Sequence, residues 1–259
     1  PMRPLLTTIC LALLSLALSA AETRTLRVMS YNIHHGEGLD GRLDLERIAK
    51  VITDARADLV GLQEVDRGVE RTQRRDLPAE LARLTGMTVA FESNLPHQGG
   101  EYGNAVLSRF PVKASRNTHY RAPRPGEQRG FQEVTIVAHG RELLFMNTHL
   151  DFRAGDEERL ASVRELRAAV TAAGGKPVIL VGDFNAVPTS APIREVAGFL
   201  RDAWDAAGQG PGFTISVRKP TRRIDYIWHS PAGLVPVNAT VPSSEASDHL
   251  PVVVEFRLD

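Results

Sequence analysis

The sequence predicts an α/β protein, a four-layer αββα sandwich of two mixed β-sheets flanked by helices. Short apolar segments typical of strands recur along the chain and are bounded by turn residues. Some of these segments follow amphipathic helices and others are joined as hairpins, so a helix-covered sheet sandwich satisfies both patterns. No Pro/Gly/Ser-rich linker divides the chain. We therefore expect one globular domain.

Three segments place apolar residues at helical spacing. The first covers residues 43–52. The second covers 78–84, with Pro78 near its first turn and Gly86 as its stop. The third covers 156–173 and is ended by two glycines.

Strand-like segments fill most of the remaining chain. His139 and Gly140 separate two of them and predict a hairpin. The predicted strands are 26–33, 58–65, 87–91, 102–108, 132–138, 142–148, 178–181, 224–228, 234–241 and 252–258.

The N-terminus has the pattern of a secretory signal peptide. Arg3 precedes an apolar run from Leu5 to Leu18, and small residues follow it up to Ala21. The run is too short for a transmembrane helix, so we expect no stable membrane anchor. We predict a signal peptide at 1–21, a mature domain at 22–259, and export to the periplasm or the extracellular medium. The only cysteine, Cys10, lies in the leader, which excludes disulfides and thiol catalysis in the mature domain.

The composition describes a neutral protein with a full core. The chain has 259 residues, 42% of them hydrophobic, and 31 Lys+Arg balance 31 Asp+Glu. A core of that size needs no disulfide or oligomer, so we expect a monomer without an obligate protein partner. Neutrality argues against bulk electrostatic binding of nucleic acid, although basic loops at 71–75, 121–129 and 218–223 are candidates for a local basic rim.

Polar residues stand where several predicted strands end. The apolar strand at 178–181 is followed by Asp183 and Asn185, which project to the same side if the strand pleat persists. Similar polar strand ends occur as Ser-Tyr-Asn-Ile-His at 30–34, Leu-Gln-Glu-Val-Asp at 62–66, Asn-Thr-His-Leu at 147–150, Arg-Ile-Asp-Tyr at 223–226 and Ser-Asp-His-Leu-Pro at 247–251.

This ordered set resembles the endonuclease/exonuclease/phosphatase superfamily of metal-dependent phosphoesterases. The resemblance covers residues 25–259, and the six motifs follow the order of that superfamily. The segment Gly-Gly-Glu-Tyr-Gly-Asn-Ala-Val-Leu-Ser-Arg-Phe-Pro at 99–111 resembles that of secreted bacterial members. The resemblance implies a catalytic domain at 22–259 that hydrolyses phosphate esters by direct attack of water.

A hard divalent cation is expected in such a site. Carboxylates and carboxamides suit Mg²⁺ or Mn²⁺, and the closely spaced Cys and His of a structural zinc site are absent from the sequence. Glu64 ends an otherwise apolar predicted strand, where a buried carboxylate is costly unless it meets a cation. The resemblance implies that Glu64 is the principal metal ligand, assisted by Asp248 and Asn32.

The resemblance also implies the catalytic roles. Asp183 is the general base or orients the attacking water, and Asn185 contacts the phosphate. His249 contacts the phosphate and is oriented by Asp225. His149 polarises the phosphate or protonates the leaving oxygen.

Two further residues lie where members of the superfamily present substrate-facing groups. These are Tyr102 and Asn104, although Gly103 between them also permits a β-bulge. Among the other histidines, His35 follows Asn32 closely and stands apart. The remaining histidines are His34, His97, His119, His139 and His229. We expect most of these five to be loop or surface residues.

The sequence leaves the substrate class open. The first hypothesis is a secreted phosphodiesterase or phosphomonoesterase acting on a phosphate-ester substrate of unknown class. A nuclease acting on DNA or RNA is the alternative, and a catalytically silent binding module is the alternative from another class. Sphingomyelinase-like action is disfavoured because the loop at 208–220 carries only Phe213 as an aromatic residue for membrane insertion.

Overall fold

The structure, a computed structural model, describes residues 24–259. This part of the chain contains twelve β-strands and five α-helices. The helices are α1 (Leu45–Asp54), α2 (Leu77–Thr85), α3 (Glu157–Ala172), α4 (Ala191–Val196) and α5 (Ala203–Ala207). The strands are β1 (Thr25–Asn32), β2 (Leu59–Arg67), β3 (Thr88–His97), β4 (Gly100–Ser108), β5 (Val112–His119), β6 (Gly130–Ala138), β7 (Arg141–His149), β8 (Val178–Asp183), β9 (Arg201–Asp202), β10 (Asp225–His229), β11 (Leu234–Thr240) and β12 (Val252–Leu258).

The strands form two mixed sheets of six strands. Their orders are β11-β12-β1-β2-β4-β3 and β5-β6-β7-β8-β10-β9. In each sheet one central pair is parallel, β1 with β2 and β7 with β8. Each parallel pair is joined by a helical crossover, α1 in the first sheet and α3 in the second, as parallel strands require. The predicted αββα sandwich is confirmed.

Strand alternation divides the core into three apolar layers. In β1, Val28 points between the sheets and Met29 points toward the helices of its own sheet. In β8, Ile179 and Leu180 divide in the same way. Because both faces of these strands are covered, they are apolar on both sides. Four layers of secondary structure result, with a helix layer outside each sheet.

Local signals set the helix boundaries. The side chain of Asp44 accepts a hydrogen bond from Arg47 N at 3.1 Å and caps α1. Asp76 caps α2 in the same way through Ala79 N at 3.0 Å. Gly86 ends α2 with φ 66°, the left-handed conformation that favours glycine. The predicted hairpin at 139–140 joins β6 to β7.

The structure adds elements that periodicity missed. The sequence predicts no strand at β5 and no helix at α4 or α5. Strand β5 lies at a sheet edge, pairs with β6 alone and is exposed along most of its length, so it carries no apolar alternation. Strand β2 also extends to Arg67, so Glu64 lies within the strand and not at its end.

The N-terminal prediction stays a prediction. The signal peptide at 1–21 lies outside the residues that the structure describes. Across residues 24–259, no helix is both long and apolar enough to cross a membrane.

A buried polar network joins the two sheets between the middle of β2 and the C-terminal part of β7. The side chain of Gln63 donates to Asn147 Oδ1 at 2.7 Å. The amide nitrogen of Asn147 donates to the carbonyl oxygens of Leu62 and Ala105, each at 2.9 Å. Both amide side chains are fully buried. Such a network fixes how the sheets are placed against each other.

Asn147→Ala is therefore expected to destabilise the protein by about 1–3 kcal/mol, the cost of leaving buried polar partners unpaired. The midpoint of urea unfolding measures the change. Asn238→Ala, the same substitution at an exposed strand position, is the matched control. Equal midpoints for the two variants would show that the network does not stabilise the fold.

Candidate active site

The polar strand ends converge at one edge of the sandwich. Asp183, at the end of β8, pairs in register with His149 at the end of β7 and with Asp225 at the start of β10. The end of β1 faces them from the other sheet, since Asn32 lies within hydrogen-bonding distance of Asp183. Two sheets thus bring together side chains that are far apart in sequence, such as Asn32 and Asp225, which are 193 residues apart.

Asp183 lies at the centre of the cluster. Its Oδ2 accepts a hydrogen bond from Asn32 Nδ2 at 3.1 Å and lies 3.4 Å from His149 Nε2 and 3.7 Å from His249 Nε2. The side chain is buried. Burial and the nearby carboxylate of Asp225 raise the pKa of Asp183 above its usual range. This carboxylate is suited to accept a proton.

His249 and Asp225 form a buried pair. His249 Nδ1 and Asp225 Oδ2 are 2.9 Å apart. Although burial lowers the pKa of His249, Asp225 and then Asp183 raise it well above the ordinary value for histidine. The ring lies between two carboxylates that favour its charged form, with Nε2 toward Asp183. The predicted orientation of His249 by Asp225 corresponds to this contact.

His149 has an unexpected partner. Arg129 Nη1 lies 2.5 Å from His149 Nδ1. Because a guanidinium can only donate, Nδ1 accepts and the ring proton is on Nε2, which faces Asp183. Burial, and then the charge of Arg129, lower the pKa of His149 well below its ordinary value. A neutral His149 donates a hydrogen bond well, but it is not a general acid at neutral pH.

Asn185 reaches the site through a turn. Its φ is 48°, and its backbone N–H donates to Asp183 Oδ1 at 2.8 Å. The pleat therefore ends at Asp183, so the condition for a shared strand face is not met and Asn185 lies on a turn. The Asn185 amide donates to Leu150 O at 3.0 Å and lies 3.2 Å from His149 Nε2. The turn, and not the strand, sets it beside the histidine.

Glu64 is presented by a β-bulge. The pairing of β2 with β4 shifts between Leu62 and Val65, and Glu64 takes φ 59° at that shift. Its Oε1 accepts a hydrogen bond from Asn32 Nδ2 at 3.0 Å. The amide oxygen of Asn32 accepts from His34 N at 3.0 Å and retains a second lone pair. Asn32 thus links Glu64 to Asp183.

Asp248 lies on the loop before β12, directly after Ser247. The Oγ of Ser247 donates to Asn32 O at 2.7 Å and so attaches the loop to the end of β1. In residues 24–259, two sets of three His, Asp or Glu side chains place ligand atoms within 4.8 Å of one another, and Asp248 belongs to neither. These sets are His34, His35 and Glu64, and Asp183, Asp225 and His249.

The two predicted substrate-facing residues differ in environment. Burial, followed by the charge of Glu64, raises the pKa of Tyr102 well above its ordinary value, and the guanidinium of Arg71 lies 5.5 Å from its ring centroid. Asn104 is buried, with its amide 3.5 Å from Gly130 O. Gly103 is needed for close packing, because a Cβ atom there would lie 2.0 Å from Glu92 O. The β-bulges next to it are on the neighbouring strands β2 and β3, and not on β4.

Three features escaped the sequence analysis. Arg129 belongs to the candidate basic rim at 121–129, yet its side chain is buried against His149. No functional role is predicted for His34 or His35, yet both adjoin Glu64. The expectation for His229 is wrong, because it is buried in β10. The available signal for Arg129 was its position directly before the apolar strand β6.

Arg129→Met is expected to lower kcat/KM by roughly tenfold to a hundredfold, the range for a partner that orients a functional histidine. In the wild type, nitrogen NMR is expected to show His149 protonated on Nε2 alone, and this preference is expected to weaken in the variant. Arg121→Met, at an exposed position in the same segment, is the control. A wild-type signal from a doubly protonated His149 at neutral pH would contradict the assignment.

Comparisons with known proteins agree with this geometry. The sequence profile described as the Endonuclease/Exonuclease/phosphatase family matches residues 29–249. The uncharacterized protein YbhP of Escherichia coli K12 is 29% identical over 252 residues, which cover 90% of this chain and 96% of YbhP.

Two solved structures are similar over most of the chain. The endonuclease/exonuclease/phosphatase from Beutenbergia cavernae has a TM-score of 0.76 and 28% identity, covering 91% of this chain and 72% of that one. The human Nocturnin catalytic domain with bound sulfate anion has a TM-score of 0.73 and 27% identity, covering 91% and 95%.

Proposed function

Because the chain belongs to the endonuclease/exonuclease/phosphatase family, a family of metal-dependent hydrolases of phosphate esters, we propose that it hydrolyses a phosphodiester or phosphomonoester by direct attack of water. The observation that carries the proposal is the position of Asp183. One buried carboxylate with a raised pKa lies within 3.7 Å of Asn32, His149 and His249, all of which carry N–H groups. This is the arrangement of a proton acceptor surrounded by donors for phosphate oxygens.

The donor set fits a hard divalent cation. Glu64 and Asp248 supply carboxylate oxygens, and Asn32 supplies an amide oxygen with a free lone pair. Oxygen donors of this kind favour Mg²⁺ or Mn²⁺. We assign Glu64 as the principal ligand because Asn32 already fixes the direction of its carboxylate at 3.0 Å. Such an ion neutralises charge that develops on the phosphoryl oxygens.

The other side chains of the site accept a proton or donate hydrogen bonds to the phosphoryl group. Asp183 accepts the proton of the attacking water, and its raised pKa brings it closer to the operating pH of such a base. His249, charged and held by Asp225, donates to a phosphoryl oxygen from Nε2. His149 donates from Nε2 as a neutral ring, with Asn185 beside it.

Water is the proposed nucleophile because the site offers no activated side-chain nucleophile. The only cysteine of the sequence is Cys10, in the predicted leader. Ser247 is the hydroxyl residue beside Asp248, and its Oγ donates to Asn32 O at 2.7 Å. That short hydrogen bond to a backbone carbonyl, in place of a general base, gives the hydroxyl a role in stabilising the loop.

The chemistry of the site supports a phosphate ester as the substrate and does not distinguish among classes of phosphate ester. The human Nocturnin domain, which is similar to this chain, has a bound sulfate, a tetrahedral anion like phosphate, which is compatible with a phosphate-ester substrate. The near-neutral net charge does not favour a nucleic acid duplex over a small phosphate ester.

The experiment is hydrolysis of bis-p-nitrophenyl phosphate and p-nitrophenyl phosphate with Mg²⁺, with Mn²⁺ and with EDTA. We expect metal-dependent turnover that EDTA abolishes. Single turnover in ¹⁸O-labelled water is expected to place one label in the released phosphate or phosphomonoester. Label first found in the protein would contradict direct attack, and absence of turnover on these esters, DNA, RNA, lipid and sugar phosphates would favour the silent binding module.

A further inference from the structure

Two histidines lie beside the proposed principal metal ligand without a role in the proposed reaction. His34 and His35 form the short turn after β1, and their ring centroids are 4.4 Å apart. Ligand atoms of His34, His35 and Glu64 all lie within 4.8 Å of one another. We propose that these three side chains form a second cation site, one that binds a first-row transition ion of the Zn²⁺ or Co²⁺ kind.

His35 carries the strongest evidence. Its side chain is 12% exposed, and its Nδ1 is buried with no hydrogen-bond partner. Its other ring nitrogen, Nε2, lies 3.7 Å from a carboxylate oxygen of Glu37. An unpaired buried ring nitrogen is costly unless a ligand satisfies it. A metal ion bound at Nδ1 would supply that partner.

The backbone holds the two rings in place. His34 and His35 both take φ 44°, which residues with a side chain adopt only when the surrounding structure requires it. Gly36 N donates to Ile33 O at 2.8 Å, and Glu37 N donates to His34 O at 2.9 Å. The tight turn therefore fixes adjacent histidines on the same side of the site as Glu64.

The ligand chemistry separates this site from the proposed Mg²⁺ site. Two imidazole nitrogens and one carboxylate oxygen suit Zn²⁺, Co²⁺ or Ni²⁺, whereas Mg²⁺ prefers oxygen donors and water. A set of three protein ligands leaves a coordination position open to water or a phosphate oxygen.

Arg71, a cation whose charge acts on His35, is itself held in an ion pair. Arg71 donates to both carboxylate oxygens of Asp66, at 2.8 and 2.9 Å. Asp66 is fully buried, and its carboxylate offsets part of the charge of Arg71. The site goes beyond the proposed hydrolysis, and it touches that function only through Glu64, which the two cations would share or contest.

Titration of the untagged protein with Zn²⁺ by calorimetry, and with Co²⁺ by visible absorption, tests the proposal. His35→Asn and Glu64→Gln are expected to weaken Zn²⁺ binding by well over tenfold, because they remove direct ligands. Loss of a residue that only hydrogen-bonds to a metal ligand already lowers metal affinity by about 10- to 100-fold. His119→Asn, at an exposed strand position, and His249→Asn, in the other ligand cluster, are expected to retain it. Intense visible Co²⁺ bands are expected in the wild type and are expected to be lost in His35→Asn.

Two results would overturn the site: Zn²⁺ affinity that His35→Asn leaves unchanged, or an equal loss in His249→Asn. Circular dichroism and thermal unfolding confirm folding of each variant, and His34→Asn provides a second ligand deletion should His35→Asn unfold. Hydrolysis with Mg²⁺ is measured in parallel. Binding of Zn²⁺ through His35 without any hydrolysis would contradict the proposed function and support this site, whereas hydrolysis with His35-independent Zn²⁺ binding would overturn this site alone.

Discussion

Replacing Asp183 by asparagine will lower kcat/KM by about 10²- to 10⁴-fold, the range for removal of a positioned general base. The amide is nearly isosteric with the carboxylate but cannot take the proton of water. Its Oδ1 can still accept from Asn185 N, which donates to Asp183 at 2.8 Å in the wild type. We therefore expect the fold and the metal affinity to survive while turnover is lost. Hydrolysis of bis-p-nitrophenyl phosphate with saturating Mg²⁺ measures the effect.

Asp54→Asn is the matched control for this variant. Asp54 ends α1, is 63% exposed and pairs with Lys50 at 2.7 Å, away from the strand ends. We expect its kcat/KM to equal that of the wild type. An Asp183→Asn variant that kept more than a tenth of wild-type kcat/KM would remove Asp183 from the role of base.

His249→Ala and Asp225→Asn form the second prediction, a double-mutant cycle on the buried pair. His249→Ala is expected to cost roughly 2–4 kcal/mol of transition-state stabilisation, the scale for one oxyanion donor. Asp225→Asn is expected to act through His249, since their nitrogen and oxygen are 2.9 Å apart and Asp225 raises the pKa of the ring. The double variant should therefore cost little more than His249→Ala alone, because residues that act as one unit are not additive.

Values of kcat/KM for the wild type and the three variants complete the cycle. Additive losses would show that Asp225 acts independently of His249, for example on the charge of Asp183. Thermal unfolding of all four proteins separates this result from a loss of folded protein. His119→Ala, at an exposed position on β5, is the control for removal of an imidazole.

Patterns of neighbouring residues predicted most of the regular structure. The apolar strand before Asp183, the capped helix ending at Gly86 and the hairpin at 139–140 all occur as expected. Their conformations depend on side chains and turns only a few residues away. The edge strand β5 and the short helices α4 and α5 were missed because no complete apolar face marks them.

The sequence by itself also determined which strand ends carry polar groups, and thereby the family. What it did not determine is how those groups meet. Glu64 depends on a bulge between β2 and β4, and Asn185 depends on a turn that begins at Asp183. Such features follow from strand register between distant segments.

Only the tertiary structure decided the partners of the histidines. Arg129 reaches His149 because β6 pairs with β7, and His35 adjoins Glu64 because β1 pairs with β2. Protonation and ligand chemistry depend on atoms within a few ångströms. Those atoms come from distant segments: Arg129 and His149 are 20 residues apart in sequence, and Gln63 and Asn147 are 84 residues apart. Periodicity along a chain carries no information about such distances, so the residue types were predictable and their charge states were not.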